Sequence, residues 1–160
     1  MQYKPSTSPA LVAWKRLGGN PAGRWLHSVI VCFVAPYFGT IKPRFTVLEP
    51  GRVVLTVRNR RAVRNHLKSV HAIAMCNAAE LAAGVCLDVS LHDDFRWIPV
   101  GMQVQYLKMA KTNLTATCQL DDYQWSAAQD VVLPVSVTDS NGAEVFHADI
   151  TMRISQKRRS

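Results

Sequence analysis

Apolar residues change their spacing three times along this chain. Up to residue 39 they recur at helical intervals, and from Ile41 to Arg58 they alternate with polar ones. Between about 70 and 88 they fill nearly every position, and from Met102 onward they alternate again. Period-3.6 recurrence marks helix and period-2 alternation marks strand. After a loose polar start over residues 1–9, Ser8-Pro9 opens a short helix, Ala10 to Leu17, which Gly18-Gly19 ends. Asn20, with Pro21 behind it, caps a second helix that stops before Pro36 or by Gly39. Ile41 to Leu48 reads as a strand, Glu49-Pro50-Gly51 as a turn, and Arg52 to Arg58 as a strand with Val53, Leu55 and Val57 on one face. A basic loop, RNRRAVRN, precedes the central helix. A polar loop, His92 to Arg96, and the segment WIPVG follow it. Alternation then predicts strands around Met102–Tyr106, Leu114–Leu120, Val131–Val137 and Phe146–Ile154, with a hairpin turn at Asp139-Ser140-Asn141-Gly142.

Alternating strands bury one face. The central helix carries Ile73, Ala74, Met75, Cys76, Ala78, Ala79, Leu81, Ala82, Ala83 and Val85, so it is apolar on nearly every side and must be surrounded by protein. A curved antiparallel sheet wrapped around one long helix meets both demands. The predicted class is α+β. The predicted organisation is an N-terminal helical extension over residues 1–40, a main domain over 41–156 and a basic tail over 157–160.

Composition narrows the setting. The chain has 160 residues, 48% of them hydrophobic and 19% charged. That suffices for one domain with a real core, and the low charge leaves room for a subunit interface. Cys32, Cys76, Cys86 and Cys118 match no zinc spacing and are expected to be reduced thiols, with no metal bound. The run WLHSVIVCFVAPYF, Trp25 to Phe38, is about 14 residues against the roughly 20 a bilayer span needs. It is expected to be a buried or lid helix, with a membrane-surface helix as the alternative. The first apolar run comes late, behind Lys15 and Arg16, so no secretory signal is expected and the predicted location is cytoplasmic. A net charge of +8 favours anionic partners without choosing among them.

One carboxylate, Glu80, interrupts the apolar helix. Asn65, His71 and Glu80 stand at spacings of six and nine. With Ser69 as N-cap, the helix would begin near Val70 or His71, leaving backbone N–H groups around His71 and Ala72 free for a carbonyl oxygen or oxyanion. At about 100° per residue, nine positions put Glu80 half a turn away from His71. One helix cannot aim both at one small molecule, whereas antiparallel helices of two subunits could. A carboxylate so placed is expected to be desolvated, which suits a base or nucleophile. On the residues alone, Glu80 could equally pair with an arginine, His71 could bond a loop carbonyl and Asn65 could serve a turn.

These residues resemble the hotdog-fold thioesterases, in which one long helix is wrapped by an antiparallel sheet. The likeness covers about Ile41 to Ile154. It is strongest to small acyl-CoA thioesterases of the phenylacetyl-CoA and 4-hydroxybenzoyl-CoA type, whose motif is Asn or Gln, then His-Gly-Gly at the helix start, then Asp or Glu about nine residues after the His. Asn65, His71 and Glu80 occupy those places. MQVQYLKMAKTNLTATCQL resembles the strands after the helix. The long N-terminal extension and the phrasing RNH…SVHAIAMCNAAELAAG are nearer still to a bacterial branch of the fold described only as thioesterase-like. The resemblance implies that Glu80 attacks the thioester carbonyl or activates water, that the Ala72 N–H polarises the carbonyl oxygen, and that His71 and Asn65 orient the substrate. The two glycines of the motif are Ala72 and Ile73 here, and Gly84 stands where relatives often carry Ser or Thr. Both departures imply weaker activity or a differently shaped substrate.

The resemblance further implies a homodimer, or a dimer of dimers, acting on an acyl-CoA thioester, with coenzyme A as part of the substrate and no separate cofactor. Arg58, Arg60, Arg61 and Arg64 would hold the nucleotide phosphates, as could Arg153, Lys157, Arg158 and Arg159. Trp25, Val29 and Phe33, with Met75 and Trp97, would line the acyl pocket. Two alternatives are a non-catalytic acyl or lipid binder and a hotdog hydratase, although the HFP-like loop of the hydratases is absent. Nucleic-acid binding is disfavoured, because the basic loop has no interleaved aromatics.

Overall fold

The computed structural model describes residues 7–120 and 129–157. Two helices come first, α1 (Pro9–Leu17) and α2 (Pro21–Val34), followed by a 3-10 turn, Pro36–Thr40. Strands β1 (Arg44–Glu49) and β2 (Arg52–Val57) lead to the long helix α3 (Ala72–Ser90). Four strands close the chain: β3 (Phe95–Tyr106), β4 (Leu114–Gln119), β5 (Gln129–Thr138) and β6 (Glu144–Gln156). Every pairing is antiparallel, in the order β1-β2-β4-β5-β6-β3. The six strands curve around α3, which touches all of them.

Alternation explains the core. Leu114, Ala116 and Cys118 of β4, Leu133, Val135 and Val137 of β5, and Phe146, Ala148, Ile150, Met152 and Ile154 of β6 are all buried. They meet Met75, Ala78, Ala79, Leu81, Ala82, Ala83, Cys86, Leu87 and Val89 of α3. The hairpin after β5 turns where predicted, with Gly142 at φ 80° and the Asp139 carboxylate accepting from the Asn141 and Ala143 N–H groups.

Three boundaries differ from the sequence reading. β1 begins at Arg44 rather than Ile41, because Ile41 still closes the 3-10 turn and Lys42 adopts φ 49°. β3 begins at Phe95, inside the expected polar loop, and pairs with β6 along its whole length past an irregularity between Pro99 and Gly101. Pro99 and Gly101 read as turn residues, yet β3 is an edge strand, where a missing N–H is tolerated. Helix α3 begins at Ala72, and its N-cap is His71 rather than Ser69. Val70 forms an extended bridge with Arg64 and His71 is itself extended, at ψ 141°, so the helix starts only after them; the Val70 N–H is held by the Ala110 carbonyl and the His71 N–H by the Val63 carbonyl. Of the ends expected to be loose, residues 1–6 and 158–160, with Arg158 and Arg159, lie outside the described residues; the rest is ordered, since Thr7 and Ser8 bond to Asp93 and Asp88, Pro9 opens α1, Gln156 ends β6 and the Lys157 N–H donates to the Asp94 carbonyl.

α3 is long and apolar enough to cross a membrane, but it is the core helix here. Its least apolar stripe, Asn77, Glu80, Gly84 and Asp88, recurs at helical spacing. Glu80, Gly84 and Asp88 line a space closed on its far side by α1 and α2.

Candidate functional site

The approach to α3 is built by polar side chains. Asn65 Oδ1 accepts from the Leu67 N–H (3.0 Å), the Ser69 N–H (3.2 Å) and the Ser69 hydroxyl (3.1 Å). Two of those donors are backbone N–H groups, so the oxygen end of the amide is fixed and the NH2 end points elsewhere. His71 is exposed at the N-cap, where its Nδ1 accepts from the Ile73 N–H at 3.1 Å. A neutral imidazole bonded this way carries its proton on Nε2. The Ala72 N–H stands at the first helical position, where no intrahelical carbonyl faces it. The His71 N–H, expected to be free, is instead spent on Val63. What this corner still offers is therefore uniform in kind: the Ala72 N–H, His71 Nε2–H and Asn65 Nδ2–H are all donors, gathered at a helix N-terminus.

Glu80 lies elsewhere. It is nine residues along α3, about 14 Å by helix rise, and on the other side of the helix. Within one protomer the structure does not bring it together with Asn65, His71 or Ala72. It is half-buried rather than fully buried, and it has no hydrogen-bond or ion-pair partner among the described residues. It sits on the wall of a cavity of about 380 Å³. Asp88, two turns on, differs: it accepts from the Ser8 hydroxyl and so ties the start of α1 to α3.

The residues expected to line an acyl pocket do not all meet at this cavity. Trp97 and Leu81 line it, together with Ile30, Val31 and Val34 of α2 and Phe38. Trp25, Val29 and Phe33 lie in a separate surface groove on the other face of α2, and Met75 is buried in the core. A stripe at i, i+4 shows that a helix is amphipathic without showing which stripe turns inward. Trp97 also accounts for Gly84, since a Cβ there would stand 2.8 Å from the tip of the indole. The ring occupies the place where a Ser or Thr side chain would project.

Sequence reasoning missed His27. Its ring is wholly buried between Trp14 and Phe45, with Nε2 donating to the Ala10 carbonyl at 2.9 Å. Nδ1 is left without a partner. Burial holds its pKa below the ordinary 6.5, against the opposing pull of that carbonyl. Next to it, Ser28 Oγ donates to the Arg24 carbonyl (2.8 Å) and accepts the Phe45 N–H (3.1 Å). A bare His-Ser pair inside an apolar run gave no sign of this anchoring role.

The arginines divide. Arg60 donates to the Thr40 carbonyl, and Arg64 donates to the Asn59 side chain at 2.6 Å and to its carbonyl at 3.3 Å. Both hold the loop itself, whereas Arg58 and Arg61 are exposed. Arg153 forms a two-pronged bond to Asp130, 2.8 Å on each arm, which holds the Asp130 carboxyl below its usual range. Arg153 is thereby engaged and the last strand offers no free guanidinium there. Among the described residues no three His, Cys, Asp or Glu side chains group as metal ligands.

Comparison with known proteins adds a family and three solved structures. The family described as Domain of unknown function (DUF4442) matches residues 23–154. A crystal structure known as genomics APC5556 is 40% identical, with a TM-score of 0.82, over 92% of this chain and 98% of that one. A probable thioesterase of Pseudomonas aeruginosa is 22% identical over 76% of this chain and 88% of its own, at TM-score 0.68. A thioesterase of Haemophilus influenzae is 8% identical over 75% and 82%, at 0.67. No curated protein matches by sequence.

Proposed function

The chain belongs to the family described as Domain of unknown function (DUF4442) and has the hotdog fold of thioesterase-family structures, and on that footing we propose that it hydrolyses an acyl-CoA thioester to the free acid and CoA. The observation that carries the reading is Glu80: an unpartnered, half-buried carboxylate on the wall of a mostly apolar cavity, whose other carboxylate, Asp88, is bonded. Structural carboxylates in such places are bonded, as Asp88 is. A base or nucleophile has to be left available.

In this reading two protomers complete each site. The free side of edge strand β3 offers a row of backbone groups for pairing with a second copy. Glu80 of one protomer then works against the start of α3 in the other. The three donors there suit the thioester oxygen, whose negative charge grows as the carbonyl is attacked. Ala72 supplies its N–H, while His71 and Asn65 supply Nε2–H and Nδ2–H. Glu80 either attacks the carbonyl carbon, expelling CoA thiolate and leaving an anhydride for water to open, or takes a proton from water as that water attacks. The acyl group lies in the cavity under α2. Arg58 and Arg61 meet the phosphates, with Arg60 and Arg64 shaping the loop that presents them.

Gly84 favours a second reading, an acyl-CoA binder, because no hydroxyl stands one turn beyond Glu80. CoA release from short, long and aromatic acyl-CoAs separates the two. Wild type should turn over part of the panel, and Glu80→Gln should lose about 10²–10⁴-fold with melting temperature and mass unchanged. Binding by wild type without turnover would replace hydrolase by binder. Cys86 and Cys118 are buried and Cys32 and Cys76 are half-buried, so a thiol dye needs an enzyme-only blank.

A further inference from the structure

Helix α2 is inside out. Its most deeply buried side chains are His27 and Ser28, at 0% and 2% exposure. Its outward stripe is Trp25, Leu26, Val29, Ile30, Phe33 and Val34, with Phe33 at 87% and Val34 at 79%. Tyr37 extends the stripe at 66%. A surface helix normally turns its apolar stripe inward. An exposed patch of this kind marks a surface that something else covers.

Charge identifies the covering. Residues 1–48 hold six cations, Lys4, Lys15, Arg16, Arg24, Lys42 and Arg44, and no Asp or Glu. Lys42 and Arg44 line the same groove as Trp25, Val29 and Phe33, and the Arg44 guanidinium lies 5.7 Å from the centre of the Trp25 ring. A second copy docked two-fold on this patch would set Lys42 and Arg44 of each copy against one another, and no carboxylate lines the groove with them. A lipid surface carrying negative headgroups satisfies both halves of the patch. Trp and Phe enter the headgroup–acyl boundary while Lys and Arg meet the phosphates.

We infer that the outer face of α2 docks on an anionic lipid bilayer. The helix has 14 residues, so it lies along the surface rather than crossing. Ile30 and Val34 belong both to the exposed stripe and to the wall of the Glu80 cavity. Through these two residues the exposed stripe borders the cavity, on the side away from the groove of Trp25, Val29 and Phe33, a route by which an acyl chain enters. The inference goes beyond hydrolysis and does not depend on it, because the test reads partition alone.

The test is co-sedimentation of the full chain with vesicles of phosphatidylcholine and of phosphatidylcholine mixed with phosphatidylserine. Binding should require phosphatidylserine and weaken with salt. Phe33→Asp should abolish it while circular dichroism and melting stay as in wild type. Lys42→Ala and Arg44→Ala should each lower partition about five-fold. Equal binding to both vesicles, no binding, or undiminished binding of Phe33→Asp overturns the inference. So does a lower mass for lipid-free Phe33→Asp by light scattering, which would make this face an interface between copies.

Discussion

Helices α2 and α3 are comparably apolar in sequence and opposite in use. α3 turns its apolar side chains to the sheet and keeps one stripe with Glu80 toward a cavity. α2 turns its apolar side chains to the outside and its two polar ones inward. The difference lies in what the neighbours require. Six strands present apolar faces to α3, so burial alone positions it. α2 packs on α1 and β1, where the Phe45 N–H and the Ala10 carbonyl need partners, and Ser28 and His27 supply them. α3 is held by area and α2 by a few directed bonds. That division sets a helix fixed by the sheet beneath a roof held by a few bonds.

The largest expected effect, the loss of turnover in Glu80→Gln, tests the unpartnered acid on α3. Packing around that helix comes next. Gly84→Ser gains helix propensity but drives a side chain into Trp97, so it should destabilise by about 1–3 kcal/mol in denaturant melts. A second substitution, Trp97→Leu, should recover most of the loss, and no recovery would mean that the indole does not explain the glycine. On α2, Ser28→Ala leaves the Phe45 N–H buried and unbonded, at a cost of about 1–2 kcal/mol. A neutral result would show that α2 is not held by directed bonds, and the contrast between the helices would collapse.

The smallest effect is a slope. The pKa of His27 is lowered in the folded chain, so below about pH 6.5 the unfolded state binds a proton that the folded state resists. Its stability term is intact above pH 6.5 and is lost as pH falls toward the lowered value, by at most about 1.4 kcal/mol per pH unit. His147 contributes the opposite sign, because its bond to Glu144 raises its pKa despite partial burial. Melting of wild type and His27→Phe across pH 5–8 isolates the His27 share: the variant should lose less stability on the acid side. Parallel curves would remove the assigned protonation cost.

Much of this architecture is legible from the chain. The strands Leu114–Gln119 and Glu144–Gln156 announce themselves because each has one wet face and one dry face. Asn20-Pro21 marks the start of α2 by capping chemistry that is local. Glu80 is conspicuous as the single acid in an apolar run. What escaped depends on distant partners. β3 hides its first half because an edge strand tolerates Pro99. His71 replaces Ser69 as the cap because Val63 and Ala110 capture the intervening backbone. The inward face of α2 is invisible because it carries the polar His27 and Ser28, and only their partners on α1 and β1, the Ala10 carbonyl and the Phe45 N–H, make that face the buried one.

The acid-free stretch before Glu49 has one more consequence. Most protein surfaces mix both signs, so their attraction to a charged partner shifts as carboxylates gain or lose protons. The charged groups that line the groove, Lys42 and Arg44, carry one sign only. Its grip on an anionic layer should therefore answer to ionic strength, while the roof beneath it, anchored through His27, answers to protons. The two sides of one short helix would then obey different solution variables.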